Sequence, residues 1–152
     1  MTFYHCSHAW LAPGSVIRKG NYGRIVRKSG AQHPHWIREQ FLEHIRVHEF
    51  PDRPSRLDSA FVCESRQVIR YFAETHCKTG IVYEVEPVED GACRHTTDFN
   101  CVQPIVGALE NMVDVARNYW AASYWYKIDG RPGLRCAETL IDSDLRVIGE
   151  IT

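Results

Sequence analysis

"RCAETLIDSDLRVI", residues 135–148, is the stretch whose reading decides the fold. Ala137, Thr139, Leu140 and Ile141 suit a strand in largely apolar surroundings. Asp142-Ser143-Asp144 suits a turn, and Leu145 to Ile148 a returning strand. A carboxylate, Glu138, stands in the middle of the first strand. Such a residue either points outward from a sheet edge or belongs to a site.

Upstream, "GALENMVDVARNYWAASYW" reads as an amphipathic helix and "GIVYEVEPV" alternates as a strand does. "SAFVCES" reads as a strand whose last Ser caps the helix "SRQVIRYFAETH". "HWIREQFLEHIRVHEF" is helical, with Trp36, Ile37, Phe41, Ile45 and Val47 or His48 close to helical spacing, and Pro51 and Pro54 stop it. "APGSVIRKGNYGRIV" reads as a loop, because Pro13-Gly14, Gly20, Asn21 and Gly23 are turn residues. Thr2 to Cys6 is a short opening strand. No repeat or linker divides the chain, which reads as one α+β domain over residues 1–152.

Composition sets the bounds. With 152 residues, 44% hydrophobic and 11% aromatic, the chain buries one core and leaves no room for a second catalytic domain. Neither a membrane-length apolar run nor a signal-like N-terminus is present, so a soluble cytoplasmic protein is expected. Six cysteines without a CxxC pair are expected to be reduced thiols. The net charge of −1 hides a basic first half, with 11 Lys/Arg against 6 Asp/Glu in residues 1–70, leaving 7 against 13 beyond. That half suits an anionic ligand, a nucleic acid or the acidic half of the same fold.

Few local motifs carry chemistry. His44 and His48 have the i, i+4 spacing of a zinc site, but residue 45 is Ile, the metalloprotease glutamate is missing and no third ligand is evident. "GNYGRIV" matches neither a P-loop nor a dinucleotide fingerprint. Cys63 and Cys136 lie in apolar strands, where inert thiols are the rule.

Three stretches taken in order carry a resemblance. "FYHCSHAWLAPGSVI", "PSRLDSAFVCES…VIRYFAE…GIVYEVEP" and "CAETLIDSDLRVI" resemble the small bacterial ADP-ribosyltransferases of the rifampin-modifying, His-Tyr-Glu type and a related uncharacterised bacterial family, in order and over most of the chain. The resemblance implies two small antiparallel sheets forming an NAD cleft with helices outside. It implies that His5 holds the adenosine ribose and the nicotinamide amide region of NAD. It assigns Glu138 to the 2′-hydroxyl of the nicotinamide ribose. The family's middle tyrosine is replaced: Phe61 stands on the second strand, and Phe72 or Tyr71 on the next helix. A ring face stacks on nicotinamide without a hydroxyl. Arg24 and Arg56 are the candidates for the pyrophosphate, because a guanidinium pairs two oxygens at once.

The implied activity is mono-ADP-ribosyl transfer from NAD to a protein, nucleic acid or small molecule, with release of nicotinamide and no metal. A toxin or phage-defence setting, with an antitoxin or inhibitor protein as partner, follows by analogy. The chemistry fits one carboxylate: breaking the glycosidic bond leaves an oxocarbenium-like centre that a nearby anion stabilises, and nicotinamide departs neutral without an acid. An NAD glycohydrolase, with water as acceptor, and a non-catalytic nucleotide- or partner-binding module are the alternatives.

Overall fold

The computed structural model describes residues 2–102 and 109–151. Among the described residues seven strands and four α-helices follow in the order β1 (Phe3–Ser7), β2 (Val16–Ile17), α1 (Asn21–Ser29), α2 (Trp36–Glu49), β3 (Ala60–Val62), α3 (Arg66–His76), β4 (Ile81–Pro87), β5 (Arg94–Asp98), α4 (Leu109–Ala121), β6 (Ala137–Ile141) and β7 (Leu145–Glu150). They form two antiparallel sheets, one ordered β1-β4-β7-β2 and the other β3-β6-β5. A bridge between Tyr4 and Cys63 joins them.

The stretch 135–148 makes the architecture, but not as a hairpin. β6 pairs with β3 and β5, and β7 with β4 and β2. Over three turn residues the chain therefore passes from one sheet to the other. The turn is anchored on all sides. Asp144 accepts from the Lys19 amide at 2.8 Å, Lys19 Nζ donates to Asp142 at 2.7 Å, and Ser143 Oγ accepts from the Glu89 amide at 3.0 Å.

Alternation then sorts the side chains. Phe3, Tyr83, Val85, Leu145 and Val147 of the larger sheet meet Ala60, Val62 and Ile141 of the smaller one in an apolar layer. Behind the smaller sheet, Leu140 packs with Leu42 and Ile45 of α2 and with Ala116, Tyr119 and Trp120 of α4. Burying a side chain of the Leu or Val kind stabilises by about 1.5–3 kcal/mol, so these layers fix the β6 register. Val68 and Ile69 of α3 close the end of the fold against Tyr4, Cys63 and Phe99.

Four expectations change. The stretch read as a loop holds β2 and α1. Gly20 does adopt a positive φ of 71°, but Gly23 is helical and packed so closely that a Cβ there would collide with the Leu57 carbonyl. Its glycine is a close-approach signal, not a turn signal. On α2 the buried face is Glu39, Leu42 and Ile45, leaving Ile37 and Val47 exposed, because a buried ionic network claims Glu39. β5 is a further strand, and its polar "RHTTD" carries no apolar alternation. Cys6 and Cys77 form a disulfide, with Cα atoms 6.7 Å apart. Tertiary packing of β1 against α3 brings together thiols 71 positions apart, which spacing alone does not reveal. Of the expected helix beginning at Gly107, residues 107 and 108 lie outside the described residues.

Candidate functional site

One cavity of about 390 Å³ opens where the two sheets meet, within the size range of small-molecule sites. β1 contributes His5, β3 contributes Phe61 and β6 contributes Glu138; Tyr22 comes from α1, Arg38 from α2, and Phe72 and His76 from α3.

His5 is fixed by the backbone. Its Nδ1 lies 2.8 Å from the Phe61 carbonyl, which can only accept, so Nδ1 carries the hydrogen and Nε2 of the neutral ring is an acceptor. Burial lowers the imidazole pKa and outweighs the carbonyl bond, which keeps the ring neutral.

Glu138 lies on the helix-covered side of β6 and is 9% exposed. Tyr119 donates to its Oε1 at 2.7 Å, and Arg56 Nη1 donates to the same oxygen. Arg56 is buried with its guanidinium over the rings of Phe61 and Tyr119, 4.9 Å from each centroid. Its Nε donates to Glu39 at 3.1 Å. Glu39 is fully buried and also accepts from Arg38 at 2.9 Å and from the Tyr22 hydroxyl at 3.0 Å. Charges thus alternate along Arg38, Glu39, Arg56 and Glu138.

The protonation states follow. Burial would raise the Glu39 pKa, but Arg56 and Arg38 outweigh it and hold the carboxyl below its usual range. Burial opposes the Arg56 charge, and Glu138 and Glu39 overcome that to push its pKa well up. Burial pushes the Tyr119 phenol far above its usual value, against the pull of Arg56, so it remains a donor. Tyr22 is pushed up to about 12, first by burial and then by Glu39.

The sequence candidates divide. His5, Arg56, Phe61, Phe72 and Glu138 come together on the cleft. Arg24 lies outside it, exposed on α1 and bonded to the Asn21 side chain. Tyr71 does not line it: it lies behind the lining residue Phe99, stacked on that ring at 6.4 Å, with Arg131 5.0 Å from its own ring centre. Arg56 reaches the cleft as the partner of two carboxylates and not as a free anion ligand. His44 and His48 sit together on the exposed side of α2, with His48 Nδ1 2.8 Å from the His44 carbonyl.

Residues 5–152 match the family described as "Protein of unknown function (DUF2441)". The chain belongs to that family. No curated protein matches it. In the DUF2441 chain, then, the site has to be understood from its own chemistry. Reading the sequence missed Tyr22, Arg38, Glu39 and Tyr119. Phasing α2 on Leu42 and Ile45 instead of Phe41 would have put Glu39, three residues before Leu42, on the buried face. Tyr22 was hidden between two glycines read as loop.

The arrangement offers two acceptors, His5 Nε2 and the Glu138 carboxylate, beside the rings of Phe61, Phe72 and Tyr22. It suits a ligand with a flat ring and hydroxyl or amide donors. Glu138 uses Oε1 for both Arg56 and Tyr119, leaving Oε2 for such a donor.

Proposed function

We propose that the chain is an NAD-dependent mono-ADP-ribosyltransferase. The observation that carries this reading is the convergence of His5 and Glu138, from the first and the penultimate strands, on one aromatic-lined cleft. Glu138 Oε2 accepts a hydrogen bond from the 2′-hydroxyl of the nicotinamide ribose. The bond between C1′ and the pyridinium nitrogen breaks, and its electron pair leaves with neutral nicotinamide. Positive charge grows on C1′ and the ring oxygen, where the carboxylate stabilises it. The acceptor's nucleophilic atom then bonds C1′ and releases its proton to solvent.

His5 Nε2 accepts from a ribose hydroxyl or the carboxamide N–H and orients the substrate. Phe61 and Phe72 flank the nicotinamide ring, each with one face already packed, by Arg56 and by His76 respectively. The pyrophosphate lies toward the open side of the cleft, since both cleft arginines direct hydrogen bonds to protein partners.

One observation favours a second reading, a non-catalytic nucleotide-binding module: Arg56 already neutralises part of the Glu138 charge. A single experiment separates the readings. The protein is incubated with adenylate-labelled NAD and bacterial lysate, and nicotinamide release and bound label are followed. Label on a macromolecule or small acceptor supports transfer; label only in free ADP-ribose makes the protein a glycohydrolase. NAD that binds but is not consumed supports the module, and NAD that is neither bound nor consumed overturns every form of the reading.

A further inference from the structure

We propose that Cys6 and Cys77 form a thiol–disulfide exchange site that stiffens or releases the α3 wall of the cleft. Cys6 follows His5 on β1 and lines the same cavity, whereas Cys77 follows the cavity-lining His76 at the end of α3. The disulfide therefore ties the strand that carries the imidazole to the helix that carries Phe72. The apolar anchors of α3, Val68 and Ile69, lie in its first half, while Glu74, Thr75 and His76 are exposed. The bond holds the less packed half.

Two neighbouring features are built around the sulfurs. At Gly80 a Cβ would collide with both of them, so the turn from Cys77 to Gly80 has glycine where the disulfide needs space. The Gly80 amide donates back to the Cys77 carbonyl at 2.7 Å. His8 lies with Nε2 3.7 Å from Cys77 Sγ and Nδ1 3.2 Å from Thr79 Oγ1.

The reagent is a small thiol of the glutathione type. Its thiolate attacks Cys6 Sγ from the cavity, the sulfur–sulfur bond breaks, and Cys77 leaves as a thiolate that takes a proton from solvent. A second thiolate attacks the mixed disulfide, forming the external disulfide and releasing Cys6. In sum, the protein disulfide and two thiols give two protein thiols and one external disulfide.

The clamp is independent of the NAD reading, and only its effect on NAD affinity rests on it. The protein is equilibrated in graded ratios of reduced to oxidised glutathione, alkylated and mapped by mass spectrometry. Cys6 and Cys77 should become alkylated together as the buffer turns reducing, with the exposed Cys93 alkylated throughout. Amide exchange in the last turn of α3 should rise by about threefold or more on reduction. Gly80→Ala should leave both thiols free in oxidising buffer, and Cys77→Ser should abolish the redox dependence of α3 exchange.

Alkylation of Cys6 and Cys77 at every ratio, or equal α3 exchange in both states, overturns the proposal. NAD should bind about threefold more tightly to the oxidised form, whose wall is preorganised. Equal affinity removes the control of the ligand. Absence of NAD binding in both states sinks the NAD reading instead, and leaves the thiol and exchange results to decide the clamp.

Discussion

On one side of the cleft stand His5, Cys6, Phe72 and His76; on the other stand Tyr22, Arg38, Arg56 and Glu138. The first wall is uncharged at His5 and aromatic at Phe72, with a backbone carbonyl and a disulfide as its ties. The second is a chain of four alternating charges bonded to two tyrosines, with Glu39, Arg56, Glu138 and Tyr119 buried and Arg38 and Tyr22 partly so, in which each carboxylate has at least two donors. Moving the imidazole costs one hydrogen bond, whereas moving Glu138 disturbs Arg56 and through it Glu39. The difference teaches that the fold fixes the carboxylate more tightly than the groups facing it. In the proposed reaction, where the carboxylate meets charge developing at one atom, that rigidity would count.

The sharpest way to break the comparison is Arg56→Met. It leaves Glu39 and Glu138 buried with fewer partners, and removing one partner of a buried ion pair costs about 3–5 kcal/mol. Urea unfolding should show a loss of that order. A loss as small as that of an exposed substitution would mean that the charged wall is not a linked unit.

Glu138→Gln tests the same wall with less damage, since Glu39 still pairs Arg56. The fold and NAD binding should survive, and turnover should fall on the order of a hundredfold or more. Unchanged nicotinamide release at equal folded concentration would refute the role given to Glu138.

How much of this was legible in the sequence differs between the walls in the same way. His5, Phe61, Phe72 and Glu138 sit on strands and a helix whose apolar periodicity shows in "FYHCS", "SAFV", "VIRYF" and "AETLI". The charged wall was not readable. Arg38, Glu39 and Arg56 are ordinary surface residues by composition, and only the packing of α2 and α4 behind the smaller sheet buries Glu39 and Arg56 and half-buries Arg38. β5 was missed for a related reason: Thr97 and His95 are buried because they bond the Tyr119 carbonyl at 2.8 and 3.1 Å, which no alternation of apolar residues announces.

Acid should act first on the neutral imidazoles and then on Glu39. The imidazoles of His5, His35 and His95 are lowered from 6.5, in each case first by burial. The unfolded chain therefore takes up protons that the folded one refuses, and stability should decline as pH falls below 6.5. Glu39 is lowered from 4.5, so its contribution is complete above that pH and is lost as pH falls through its folded value. Asp98, raised from 3.8 by burial, offsets part of the loss. Unfolding free energies at pH 7.5, 6, 5 and 4 check this; a flat profile from 7.5 to 5 would contradict the lowered imidazoles of His5, His35 and His95.

The smallest expected effect sharpens the aromatic wall. Phe72→Leu should weaken NAD binding by about the worth of one aromatic pair, roughly 0.5–1.5 kcal/mol, with most of the packing volume kept. Tyr71→Leu should change affinity less, because Tyr71 does not line the cleft and reaches it only through the Phe99 ring on which it stacks. Calorimetric titration of the two variants with NAD would reveal a reversed order at once.

The passage from β6 to β7 makes the length of the Asp142–Asp144 turn a coordinate of the whole molecule. Strand faces alternate residue by residue, so a slip of one turns every side chain over. Leu145 and Val147 face the apolar layer while Arg146 and Ile148 face out, and Glu138 holds its place three residues before Ile141. A chain with one residue more or fewer between Ile141 and Leu145 would have to choose between Glu138 in the cleft and Leu145 with Val147 in the core. Insertions and deletions there act on both sheets together, so the turn tolerates a change of letters far better than a change of count.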